Sequence, residues 1–221
     1  MVGSLMGLPD SVDFVSIWGN WKNLDEARML DKKKVKEQKG TRALMCFIVA
    51  NVGDQLTPEE HKENYKEYWG WKDGDQEAID GAIRKYANAI CDSIDKYGYD
   101  GFDIDYEPNY GSPGNLASYP ENMLTFVKAL GERIGPKSGT GRLLVIDGEL
   151  KVFIRKPGLT LTISLCRHTL TLRVIPTLIL TDVWLVRLPT LKEYFLRRKW
   201  LICTSLRRIS NLMLRQEEVI M

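Results

Sequence analysis

The first 149 residues alternate between short continuous apolar runs and longer stretches whose apolar positions recur every three to four residues. Asp13 to Trp18 and Ala43 to Ala50 are runs of the first kind, as expected of parallel strands buried on both faces. Leu143 to Asp147 is another. Between them, Leu24 to Gln38 reads as a helix with a lysine-rich end. Glu77 to Tyr97 carries Ile79, Ile83, Tyr86, Ala87, Ile90 and Ile94 at helical spacing. Glu121 to Ile134 turns Met123, Phe126, Val127 and Leu130 to one side. Strands alternating with helices predict a parallel α/β sheet or barrel.

The segment Asp100 to Pro108 breaks the apolar rule for strands. It reads Asp-Gly-Phe-Asp-Ile-Asp-Tyr-Glu-Pro. In an extended chain successive side chains point to opposite faces, so Asp103, Asp105 and Glu107 share one face about 6–7 Å apart. Phe102, Ile104 and Tyr106 form the other, suited to packing against helices. A calcium site would need six to eight oxygens from a loop, whereas these acids alternate with large apolar residues. A solvated edge strand would not need Phe, Ile and Tyr opposite. Crowded carboxylates are costly unless they share protons or meet a cationic substrate or transition state. The pattern therefore points to acid catalysis.

Asp100, Asp103, Asp105 and Glu107, with Gly101 after the first, fill the pattern Asp-x-x-Asp-x-Asp-x-Glu, which resembles the signature of glycoside hydrolase family 18. The resemblance implies an α/β fold, a TIM (β/α)8 barrel, with the signature at the C-terminal end of its fourth strand. On that count Asp13–Trp18, Ala43–Ala50 and Leu143–Asp147 would be strands two, three and five, making residues 1–149 a partial barrel. It also implies substrate-assisted retaining catalysis at β-1,4 N-acetylglucosamine linkages. Glu107 would be the general acid, and Asp105 would orient the substrate's N-acetyl group. Asp103 would share a proton with Asp105, while Asp100 would hold the strand end. Tyr106 and Pro108 stand where chitinases of the family usually carry Trp and Tyr, and so look more like the endo-β-N-acetylglucosaminidase branch. The partner implied is an N-acetylglucosamine-containing glycan or glycoprotein. The family lineage suggests a secreted, periplasmic or cell-surface setting, although Met1 to Leu5 shows neither the basic nor the apolar segment of a signal peptide.

Composition changes the picture in one place. From Leu150 onward only one of the 18 glycines remains, Gly158, and 13 Lys and Arg face 4 Asp and Glu. The preceding 149 residues hold 18 basic and 25 acidic side chains. Residues 150–221 thus read as an anomalous basic Leu/Arg-rich tail. A separate domain for nucleic acid or anionic lipid is one reading, but the cations are scattered among Leu and Thr. Out-of-frame translation is the sharper one. Permitted codons for Thr162 to Leu170, shifted by one nucleotide, spell Tyr-Tyr-Phe-Val-Val-Gln-Ala-Tyr-Ala, similar to the family's sixth strand. As written, no residue matches that strand's Tyr or the eighth-strand Trp. Trp184, Trp200 and His168 lie in the tail and are given no role.

The net charge of +2 offers nothing global for nucleic acid, and no 18-residue apolar run predicts a membrane span. The cysteines at 46, 91, 166 and 203 show no metal or disulfide spacing. No cofactor is expected. Trp18, at the end of the first visible strand, is a candidate for stacking on a sugar. So are Trp69 and Trp71, in a stretch with Tyr65 and Tyr68, although docking on a neighbouring element would explain that pair equally. Asp147, with Glu149 beyond it, ends a strand and is a candidate sugar ligand. His61 sits among charged residues, as on a solvated helix face. Two functional classes follow, a retaining endo-acting hydrolase or a fragment of one, and a non-catalytic glycan-binding module; an inactive fragment is the third reading. Retention of Glu107 favours the hydrolase.

Overall fold

The computed structural model describes residues 4–109, 113–149, 163–166 and 202–204, the last two stretches as backbone only. Its regular elements in chain order are β1 (Val12–Trp18), α1 (Glu26–Lys39), β2 (Arg42–Ile48), α2 (Tyr65–Trp69), α3 (Gln76–Tyr97), β3 (Gly101–Tyr106), α4 (Pro120–Gly131), β4 (Leu143–Gly148), β5 (Ile163–Cys166) and β6 (Ile202–Thr204). The strands lie in the order β5-β4-β3-β2-β1-β6. The first five run parallel, and β6 pairs antiparallel with β1. Strands β1 to β4 and their helices form a partial α/β barrel. The readings of residues 150–221 as a foreign tail fall outside the described residues, apart from the backbone of β5 and β6.

The helices start where their sequences provide caps. The Asp25 and Asp75 carboxylates accept from the amides of Arg28 and Ala78, satisfying first-turn donors of α1 and α3. Pro120 opens α4 at a position that needs no amide hydrogen. The short helix α2 occupies the first part of the aromatic stretch from Tyr65 to Trp71.

Strand parity sorts the core into two layers. Val15, Ile17, Met45, Phe47, Phe102, Ile104, Tyr106, Leu144 and Ile146 pack under α3 and α4, whose Ile83, Tyr86, Ile90, Ile94, Met123, Phe126 and Leu130 fill the same cluster. Each such side chain, fully buried, contributes about 1.5–3 kcal/mol of transfer free energy. The opposite, barrel-interior face holds a smaller apolar cluster, Phe14, Leu44, Leu143 and Val145. That face turns polar toward the C-terminal ends of the strands.

Two glycines let β3 and β4 approach. A Cβ on Gly101 (φ +153°) would lie 2.0 Å from the Leu143 carbonyl oxygen. One on Gly148 (φ +105°) would lie 2.2 Å from that of Tyr106. The pairing between these two contacts runs unbroken from Gly101–Leu143 to Tyr106–Gly148.

Candidate active site

Strand β3 supplies the acids, and the alternation read from its sequence sets their directions. Phe102, Ile104 and Tyr106 belong to the helix-side cluster. Asp103 and Asp105 therefore project from the interior face, 1% and 0% exposed. Asp103 Oδ2 accepts a 2.5 Å hydrogen bond from Ser16 Oγ, itself fully buried on β1. Asp105 pairs in register with Asp147 of β4, which is 1% exposed. Three carboxylates from two neighbouring strands are thus gathered on one buried face. Glu107 follows as the first residue beyond β3, half-buried at the rim.

Asp100 lies at the opposite end of the strand, roughly 23 Å from Glu107 by the rise of an extended chain. Its Oδ2 accepts from the Ala43 amide at 3.0 Å, and Oδ1 is paired with Lys36. Its backbone bonds Ala43 and Leu143, so it ties β3 to both neighbours at the end remote from the acids.

The aromatic candidates separate. Trp18, at the C-terminal end of β1, is 36% exposed. Trp69 and Trp71 are 4% and 6% exposed. The Trp69 indole N–H donates to Thr57 Oγ1 at 2.9 Å, and its ring meets Tyr86 edge-on. Trp71 donates to Asp73 Oδ1 at 2.8 Å. Burial leaves neither ring a face for a sugar, so α2 acts as an aromatic plug over α3. His61 stacks on Tyr68 at 4.6 Å between centroids. Cys46 and Cys91 are buried and unbridged.

The rim is braced by contacts that sequence reasoning missed. Glu149 Oε2 accepts from the Asn109 amide at 2.6 Å, and the Glu149 amide donates to the Tyr106 carbonyl at 2.7 Å. Tyr106 Oη donates to Ala117 O at 3.0 Å. Burial, with the Glu149 charge adding to it, pushes the Tyr106 phenol up to about 12, so it stays a donor. Ser16 was legible in one respect, as a lone hydroxyl of interior parity between Phe14 and Trp18. Its partner, 87 residues away, was not.

A model of the family described as "Glycoside hydrolase family 18, BT1044-like" matches residues 1–165. The chain is 45% identical to a solved glutamate-to-glutamine variant of BT1044, with a TM-score of 0.57 over 66% of this chain and 45% of that one. It therefore spans less than half the length of that relative. It is 22% identical to an endo-beta-N-acetylglucosaminidase from Cordyceps militaris in complex with fucosyl-N-acetylglucosamine-Asn, with a TM-score of 0.42 over 63% of this chain and 40% of that one. It is 15% identical to a family 18 chitinase from Pseudoalteromonas aurantia, with a TM-score of 0.36 over 62% and 49%. No curated protein matches. Among the described residues no helix is long and apolar enough to cross a membrane.

Proposed function

The chain belongs to glycoside hydrolase family 18, and we propose that its acidic strand hydrolyses β-1,4 N-acetylglucosamine linkages by substrate-assisted retaining catalysis, in the manner of an endo-β-N-acetylglucosaminidase. The observation that carries this reading is the burial of Asp103, Asp105 and Asp147 on one interior face, with Glu107 at its rim.

In this mechanism Glu107 protonates the glycosidic oxygen while the carbonyl oxygen of the substrate's own acetamide attacks the anomeric carbon. The C–O bond to the leaving sugar breaks as the ring to the acetamide oxygen closes. Water then opens that ring at the anomeric carbon, giving its proton back to Glu107, and two inversions leave the configuration retained. Asp105 accepts from the acetamide N–H and stabilises the developing positive charge. Ser16 Oγ donates to Oδ2 of Asp103 and so fixes its orientation, and in this reading Asp103 shares a proton with Asp105. Asp147 and Trp18 would contact the sugar.

The test is glycan release from a high-mannose glycoprotein by the purified chain and by Glu107→Gln. Loss of a general acid should lower turnover about 10²–10⁴-fold, with the product anomer retained in the wild type. Undiminished release by the variant would overturn the assignment. Glycan binding without release by the folded wild type would support the non-catalytic module instead.

A further inference from the structure

The excursion that begins with Glu107 is fastened at both feet. Its first foot is Tyr106, paired with Gly148 and bonded to the Glu149 amide. Its second foot, residues 114–118, rests on the turn that follows β2. There Ala50 O accepts from the amides of Leu116 and Ala117 at 3.0 and 2.9 Å. Two side chains cross in opposite directions beside that contact. Asn51 Oδ1 accepts from the Asn115 amide, and Asn115 Oδ1 accepts from the Val52 amide, each at 3.0 Å. Asn122 Nδ2 binds Asn115 O at 3.0 Å and so anchors the second foot to α4 as well.

Neither asparagine lies in a regular element, so no strand or helix ladder would supply the bonds they make. Tyr106 joins the two feet directly, through its hydroxyl on Ala117 O. A shift of the second foot is therefore transmitted to the residue immediately before Glu107. We propose that Asn51 and Asn115 are positioning residues for the general acid, a reciprocal clasp that fixes where the Glu107 carboxyl meets the glycosidic oxygen. This rests on the reading of Glu107 given above.

Leaving-group chemistry distinguishes positioning from mere support. A sugar leaving group needs protonation as its bond breaks, whereas a dinitrophenolate departs with little help. Asn115→Ala should lower kcat on the glycan by up to about 10²-fold, the cost of roughly 1 Å of misplacement. On a dinitrophenyl N-acetylglucosaminide kcat should fall far less, with KM little changed on either. Asn115→Asp keeps an oxygen for the Val52 amide and should restore the glycan rate. Equal losses on both substrates, or none, would overturn the clasp.

A second measurement needs no turnover. The Asn109 amide, held by Glu149, should exchange with deuterium faster in Asn115→Ala but not in Asn115→Asp, while amides in α1 stay protected. Unchanged exchange at Asn109 in the alanine variant would also reject the clasp. Undiminished release by Glu107→Gln strikes at the catalytic reading instead, and exchange at Asn109 still decides the mechanical one.

Discussion

At the scale of single residues, the most informative group outside the acid face is Asp54. Its Oδ2 accepts from the amides of Ala50 and Asn51 at 2.8 and 2.7 Å, closing the turn that carries the asparagine clasp. Burial nonetheless raises its pKa, outweighing those hydrogen bonds. A carboxyl that titrates higher folded than unfolded binds protons more readily in the native state. Stability must then fall as pH rises from the ordinary carboxylate value through the raised one. Asp54→Asn has no such proton and should lose that part of the slope. Urea unfolding of both proteins from about pH 3 to about pH 7 measures it, and identical slopes would reject the assignment. Nothing in the local pattern marks this residue, because its environment depends on chain reversal between Ala50 and Asp54. The acids of β3 were legible because strand parity is local. The pairing of Asp105 with Asp147 was not, because register is a property of two strands and not of one.

At the scale of elements, apolar runs located β1, β2 and β4 to within about two residues, the usual uncertainty of element ends, and the alternation of acids with large apolar residues located β3. Apolar periodicity placed α1, α3 and α4 as well. It missed α2, five residues long, because a single turn has too few positions to show a period. The tryptophans on α2 and just beyond it look like sugar-stacking residues by composition, and only the packing of Trp69 against Tyr86 reveals a structural role. Two glycines separate the demands of helix and sheet. Gly101 faces the Leu143 backbone, where a side chain has no room and φ is positive. Gly81, within α3, has nothing within 4 Å of where a Cβ would stand. Gly101→Ala should cost about 3 kcal/mol through strain and strand separation. Gly81→Ala should gain about 0.5–1 kcal/mol, because alanine loses less backbone entropy in a helix. Chemical denaturation of the two variants checks both. Equal effects would mean that the close approach of β3 to β4 does not govern the sheet.

At the scale of the whole molecule, the two faces of the sheet do different work. The helix side carries an extensive apolar cluster, while the interior apolar cluster is confined to Phe14, Leu44, Leu143 and Val145. Toward the C-terminal strand ends the interior gives way to Ser16, Asp103, Asp105 and Asp147, all buried. Like carboxylates on paired strands stand about 5 Å apart at their bases. Buried together, such groups oppose folding wherever they are ionised. Stability drawn from the helix side thus sustains a polar interior that would not assemble for its own sake, the usual relation between a fold and its site. Asp147→Asn tests that division. It replaces the acid by an amide at nearly constant volume, so the fold should be kept. With Asp147 as the proposed sugar ligand, glycan turnover should fall in the same variant. Denaturation and release assays on one preparation give both quantities. A variant less stable than the wild type with turnover intact would show that Asp147 supports the sheet and does not serve the site.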